Sequence, residues 1–169
     1  MTTATQALSV KESDFLPESF SAAKAKNAFR ELETWTFSKE ALELTAHEVE
    51  REIEKRGREV QRLMLQAHFE VRGNGDKGSF LEVVAGEGEP RGDAALLSHR
   101  RMHRRRLVSI FGEVKLCRMG YGKRGEESLH PLDEELELPK RSFSYELTRK
   151  LMKKSVQGPF DEAIDGLRE

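Results

Sequence analysis

The sequence predicts an α+β chain, mostly helical, on three observations. A long charged segment carries apolar residues in alternating steps of four and three, two short alternating runs flank Phe111-Gly112-Glu113, and apolar positions return at helical spacing near the C-terminus. The expected architecture is a long N-terminal helix or helical hairpin, a small antiparallel β-hairpin unit and a C-terminal pair resembling a helix-turn-helix.

Residues 1–18 mix Thr, Ser, charges and Pro17 without a sustained period and read as a disordered tail. Ser19 to Trp35 is rich in helix formers, with Phe20, Ala23, Ala28 and Leu32 as a short apolar stripe. Ser38, with Glu40 in the first turn, is placed to cap a long helix running to about Phe69. Along it Leu42, Ala46, Val49, Ile53, Val60, Leu63 and Ala67 form a heptad-like stripe interrupted at Arg56. At ~1.5 Å per residue, roughly thirty residues span about 45 Å, and such a stripe needs a second helix to cover it. Two covers remain open: the helix at 19–35, or a second copy in a coiled coil. The small Ala46 and Ala67 and the Arg56 break favour a weak or antiparallel seam. The segment 19–71 is thus a helical hairpin or coiled coil, with Leu42, Val49, Ile53, Val60 and Leu63 as the assembly residues.

Arg72 to Gly78 is turn chemistry, Phe80 to Val84 is β-prone, and Ala85 to Asp93 reads as an exposed loop. Arg106 to Tyr121 reads as two strands of a hairpin. An isolated hairpin is marginal, so pairing with 80–84 or packing on a helix is expected. The unit spans 79–125 and is entered through the basic run His99 to Arg106. Residues 126–141, bracketed near their ends by Pro131 and Pro139, form an acidic linker with one helical turn at most. In 142–169, Ser144 caps a helix from Tyr145 to about Gln157. Leu147, Leu151 and Val156 point inward, and Arg149, Lys150, Lys153 and Lys154 outward. After Gly158-Pro159 a second helix carries Phe160, Ala163, Ile164 and Leu167. Its apolar face is still running at Glu169, which makes the unit an incomplete one.

Composition narrows the function classes. The chain has 169 residues, 37% hydrophobic and 35% charged, and its mean hydropathy is −0.67. No apolar run reaches membrane-spanning length, and the N-terminus lacks the order of a secretion signal. The single Cys117 excludes an internal disulfide framework and any multi-cysteine zinc site, consistent with a reducing compartment. The net charge of −1 conceals banding: nine Lys and Arg against the lone Glu113 between His99 and Arg124, then an acidic stretch, then further cations. No strand precedes the Gly73 to Gly78 loop and no Lys-Ser/Thr pair follows it, so no nucleotide site is expected.

The stretch from Arg104 to Glu169 resembles the N-terminal half of bacterial insertion-sequence transposases of the Kra type. Three pieces carry the likeness in order: RRLVSIFGEVKLCRMGY, HPLDEELELP and SYELTRKLMKKSVQGPFDEAIDGL. The charged helix AHEVEREIEKRGREVQRLMLQAHFEVR is similar to the family's leading helix, extending the likeness over roughly residues 40–169. The resemblance implies a DNA transposase whose catalytic domain uses three separated carboxylates and divalent metal for strand cleavage and transfer. Those carboxylates lie beyond position 169 in the family, so none maps here. The expectation is a non-enzymatic DNA-binding and assembly module, truncated before catalysis, in the bacterial cytoplasm near the nucleoid. Its partners are DNA and either a second copy or the rest of a transposase, with no cofactor of its own. The alternative is a free-standing helical interaction or regulatory protein with an incidental basic patch.

Phosphate contacts are assigned to Arg100, Arg101, Arg104, Arg105, Arg106, Arg118, Arg149, Lys150, Lys153 and Lys154, because guanidinium forks fit phosphate oxygens and neutralised phosphates release counterions. A solvated basic linker is the competing reading of His99 to Arg106, and an ordinary helical hairpin that of 145–167. Asp133, Glu134, Glu135 and Glu137 do not converge as metal ligands would and read as solvated. His99 and His103 lack a third ligand amid arginines. Cys117 reads as a buried small hydrophobe.

Overall fold

A computed structural model of the chain describes residues 19–83 and 95–157. The tail at 1–18, the 85–93 loop and the second helix of the C-terminal pair lie outside the described residues. Within them the fold is α+β, about half helical, with two small antiparallel sheets.

Helix α1 spans Phe20–Thr36, and its cap Ser19 accepts the Ala22 N–H at 3.1 Å. Ser38 does act as an N-cap, accepting from Ala41 N–H at 3.2 Å, but the helix it starts is only α2, Lys39–Leu42. The long helix α3 begins later and covers Ala46–Val71. Its start is set by Thr45 and Glu48, whose carboxylate accepts the Thr45 N–H at 2.8 Å and lies 2.5 Å from its hydroxyl. The expected continuous helix from Ser38 is therefore broken, and Leu42 lies off the stripe, 78% exposed on α2.

Helix α1 packs antiparallel on α3, so the helical hairpin is formed within one chain. The Ser21 hydroxyl and N–H meet the Glu70 carboxylate at 2.6 and 3.1 Å at one end. At the other end the Arg56 guanidinium lies 4.5 Å from the centroid of the buried Trp35 ring. Arg56, the apparent fault in the stripe, is thus a packing residue that closes the hairpin by a cation–π contact. Ala25, Leu63 and Ala67 are buried, while Val49 and Val60 are half-buried and Ile53 is exposed.

Strands β1 (Leu81–Val83) and β2 (Ala95–Leu97) pair antiparallel. Strands β3 (His99–Ser109) and β4 (Gly112–Gly122) form a long ribbon, from His99 opposite Gly122 to Ser109 opposite Gly112. Ile110 and Phe111 make the turn. Ser109 Oγ accepts the Phe111 N–H and donates to the Gly112 carbonyl, and Gly112 supplies the φ of +122°. The basic run expected to lead into the hairpin is itself strand, so β3 starts at His99, seven residues before the Arg106 that the pattern around the turn suggested.

Alternation along the ribbon separates two cores. Leu107, Val114 and Leu116 face α3 and the short helix α4 (Pro131–Glu135), burying Leu132 and packing with Leu65 and Phe69. Met119 and Tyr121 point the other way onto Leu97, Leu81 and Val83 of the small sheet. The acidic segment 126–141 is therefore partly core, since Pro131 seeds α4 and Leu132 is fully buried. Gly75, at φ +70°, permits the preceding loop to pass there: a Cβ on it would sit 2.7 Å from the Leu132 nitrogen. Tyr121, also fully buried, holds that loop, its hydroxyl accepting from Lys77 N–H at 2.7 Å and reaching Asp76 Oδ1 at 2.7 Å.

The two outer edges of the ribbon differ. On β4, Gln66 of α3 exchanges two 2.8 Å bonds with the Lys115 backbone and Arg62 reaches the Glu113 carbonyl at 3.3 Å. Asn74 O accepts the Met119 N–H, and Leu129 exchanges bonds with Tyr121. On β3, Ser142 and Ser144 bond Val108 just before helix α5 (Tyr145–Gln157). Among the described residues no backbone group meets the outward N–H and C=O of Met102, Arg104 and Arg106.

Candidate nucleic-acid interface

Period-two alternation divides the arginines of the ribbon into two chemical populations. On the face covered by α4, Arg105 and Arg118 converge on Asp133. Arg105 Nη1 reaches Asp133 Oδ2 at 2.7 Å, and Arg118 Nη1 forms a short ion pair with the same oxygen. Arg105 also donates to the carbonyls of Pro139 and Arg141. Their side chains are 12% and 17% exposed. Burial pulls the Arg118 pKa down, with Asp133 opposing this and Arg105 adding to it. Beside them His103 Nδ1 and His130 Nε2 lie 3.1 Å apart. The His130 pKa is lowered, chiefly by burial and next by the Arg118 charge, despite the opposing pull of Asp133. This face is an internal network: Arg105 spends both terminal nitrogens on protein acceptors, whereas Arg118 spends Nη1 on Asp133 and keeps its buried Nε, like Asp133 Oδ1, without a partner.

The opposite face is open. Arg104 stands across from Cys117 and Arg106 across from Lys115, and all four residues are exposed. Arg106 is loosely paired at 3.5 Å with Glu113. Three cations against one carboxylate thus line a bare strip of two-stranded ribbon. A ribbon of two strands fits the major groove of B-DNA, and guanidinium and ammonium groups on one of its faces can meet backbone phosphates.

The remaining nominated cations are dispersed. Arg100 pairs with Asp76 at 3.0 Å, while Arg101 is exposed near the base of β3 on the α4 side. On α5, Arg149 bonds Glu146 at 2.7 and 2.9 Å, Lys150 and Lys153 are exposed, and Lys154 is half-buried. Leu147 is buried and α5 touches β3, so these cations ride on an anchored helix. Lys115 was not among the nominated residues, although its alternation with Cys117 places it on the face of Arg106. Cys117 is exposed, not the buried hydrophobe expected. Its side chain falls on the uncovered face, where the register leaves nothing to bury it.

Among the described residues no three His, Cys, Asp or Glu side chains are grouped to hold a metal, and no helix is long and apolar enough to cross a membrane. No family model matches the chain, no curated protein is similar to it, and no solved structure matches its fold.

Proposed function

We propose that this chain is a DNA-binding and assembly module of the kind found at the front of insertion-sequence transposases. The observation that carries the reading is the sorting of cations on the ribbon: Arg105 and Arg118 share the Asp133 carboxylate under α4, and Arg104, Arg106 and Lys115 are presented together on its bare face. The contacts are to phosphates, so affinity is governed by charge with little sequence preference. Lys150 and Lys153 of α5 supply secondary contacts, and α5 is the first helix of a helix-turn-helix-like pair. The role assigned to the described residues is binding, and none of them is assigned to catalysis or to the divalent metal of the transposase family. The protein works in the bacterial cytoplasm, associated with the nucleoid.

The test is duplex binding as a function of salt for the wild type and the triple variant Arg104→Ala, Arg106→Ala, Lys115→Ala. With a slope of about −0.9 per phosphate neutralised, loss of three contacts flattens the log–log slope by about 2.7. An unchanged slope removes the ribbon from the interface.

A second reading, a helical interaction protein, draws on the apolar side chains around the α1–α2 corner: Phe37 and Leu42 are 79% and 78% exposed. Sedimentation with and without duplex separates the two. Self-association independent of DNA, carried by Leu42, Val49 and Ile53, favours the second.

A further inference from the structure

An open groove of about 710 Å³ runs over α3 between the start of α1 and the outer edge of β4. Its volume lies within the roughly 300–1,000 Å³ of small-ligand sites. Phe20 and Lys24 form one wall and Lys115 and Cys117 the other, with Leu63 and Glu70 of α3 between them. Phe20 is 73% exposed, and the Lys24 ammonium lies 4.3 Å from its ring centroid. Glu70 is engaged by the Ser21 hydroxyl and N–H. Lys24 thus covers one face of the Phe20 ring, which leaves the groove the other face of that exposed ring, with the Lys24 ammonium beside it and Lys115 across the gap.

The groove is also continuous with the basic face, because Lys115 and Cys117 pair across the ribbon with Arg106 and Arg104. A duplex keeps its bases stacked inside and cannot use an aromatic wall, whereas an unpaired nucleotide can stack its base there and leave its phosphate to the ammonium groups. Resting on the DNA-binding reading, we infer that this groove takes an unpaired nucleotide at a strand end or single-stranded junction adjoining the duplex held on the ribbon.

Cys117 is the chain's one cysteine and borders both the groove and the bare ribbon face, so groove occupancy is read as protection of its thiol beyond what a blunt duplex on the ribbon gives. The experiment measures the rate of Cys117 alkylation by a maleimide in the full chain, alone and at saturating concentrations of three probes: a blunt duplex, the same duplex with a thymidine overhang, and polyglutamate. Anisotropy on the same samples records binding.

The overhang is expected to slow alkylation about tenfold relative to the blunt duplex. Phe20→Ala is expected to abolish most of that protection, the loss of roughly one base stack. Phe20 is largely exposed, and circular dichroism checks that the variant keeps its helices. Binding of both DNA probes with equal protection, or with none, overturns the groove assignment and leaves the ribbon interface standing. Protection by polyglutamate equal to that by the overhang reduces the groove to a polyanion surface. Absence of binding by either DNA overturns the DNA-binding reading itself.

Discussion

Replacing Asp133 by Asn tests whether the arginines under α4 are held by one carboxylate. The substitution keeps the shape of the side chain and removes its charge, leaving Arg105 and Arg118 close together without an anion. Removing one partner of a buried ion pair destabilises by about 3–5 kcal/mol. Arg105 keeps its bonds to the Pro139 and Arg141 carbonyls, so the loss falls mainly on Arg118. The side chains also retain some solvent contact, Asp133 itself being 20% exposed. The expected loss is therefore about 2–4 kcal/mol, below the full range. Urea unfolding followed by far-ultraviolet dichroism reads it as a lower midpoint at constant m. A midpoint corresponding to less than about 0.5 kcal/mol would show that the pair is solvated and the internal network illusory. A companion variant, Arg118→Met with Asp133→Leu, is expected to recover most of the loss, because an apolar pair of similar volume can replace a buried ion pair.

Stability is expected to fall on mild acidification: His130 has a folded pKa below its unfolded value of 6.5, so the unfolded chain binds the extra proton. The contribution is present above pH 6.5 and lost as pH falls from there through the lower folded value, at no more than about 1.4 kcal/mol per pH unit for one proton. His130→Gln should flatten that limb of the curve, whereas the limb from Glu70, whose folded pKa is below 4.5, should persist at lower pH. Gly75→Ala combines a positive φ with a clash against Leu132 and is expected to destabilise by roughly 1–3 kcal/mol; a thermal midpoint equal to wild type would remove this loop from the packing. Gln66→Ala frees the Lys115 N–H and C=O at the β4 edge, and amide exchange at Lys115 should accelerate while exchange at Leu107, inside the ribbon, stays slow.

The α+β class, helix α1, the ribbon turn and the Ser144 start of α5 were legible because each rests on local chemistry. Ser144 Oγ does accept from Leu147 N–H. The misplaced start of α3 was also local. Thr45 and Glu48 stand at capping-box spacing, a signal that a start at Ser38, with the apolar steps counted from Leu42, leaves unused. The length of β3 was hidden differently. Seven charged or imidazole side chains from His99 to Arg106 suppress any strand reading, because a strand with one covered face should alternate apolar and polar residues. The covered face here carries Arg105 and His103, made tolerable by Asp133 and His130 nearly thirty residues onward. No local window contains that pairing. Cys117 shows the limit in the other direction, since its type suggests burial while its register sets it in the open.

The unequal edges of the ribbon bear on how copies of the chain behave when crowded. On β4 the backbone is shut by Gln66, Arg62, Asn74 and Leu129, whereas β3 is bare beside Arg104 and Arg106. An exposed edge invites stacking of like strands, and here the arginines act as gatekeepers by mutual repulsion. A polyanion that quenches those charges removes the gatekeeper, so one ligand can both occupy the ribbon and license its edge-to-edge growth. Condensation of the protein should then peak where nucleic-acid phosphates match the cations of the strip in number and dissolve again when nucleic acid is in excess.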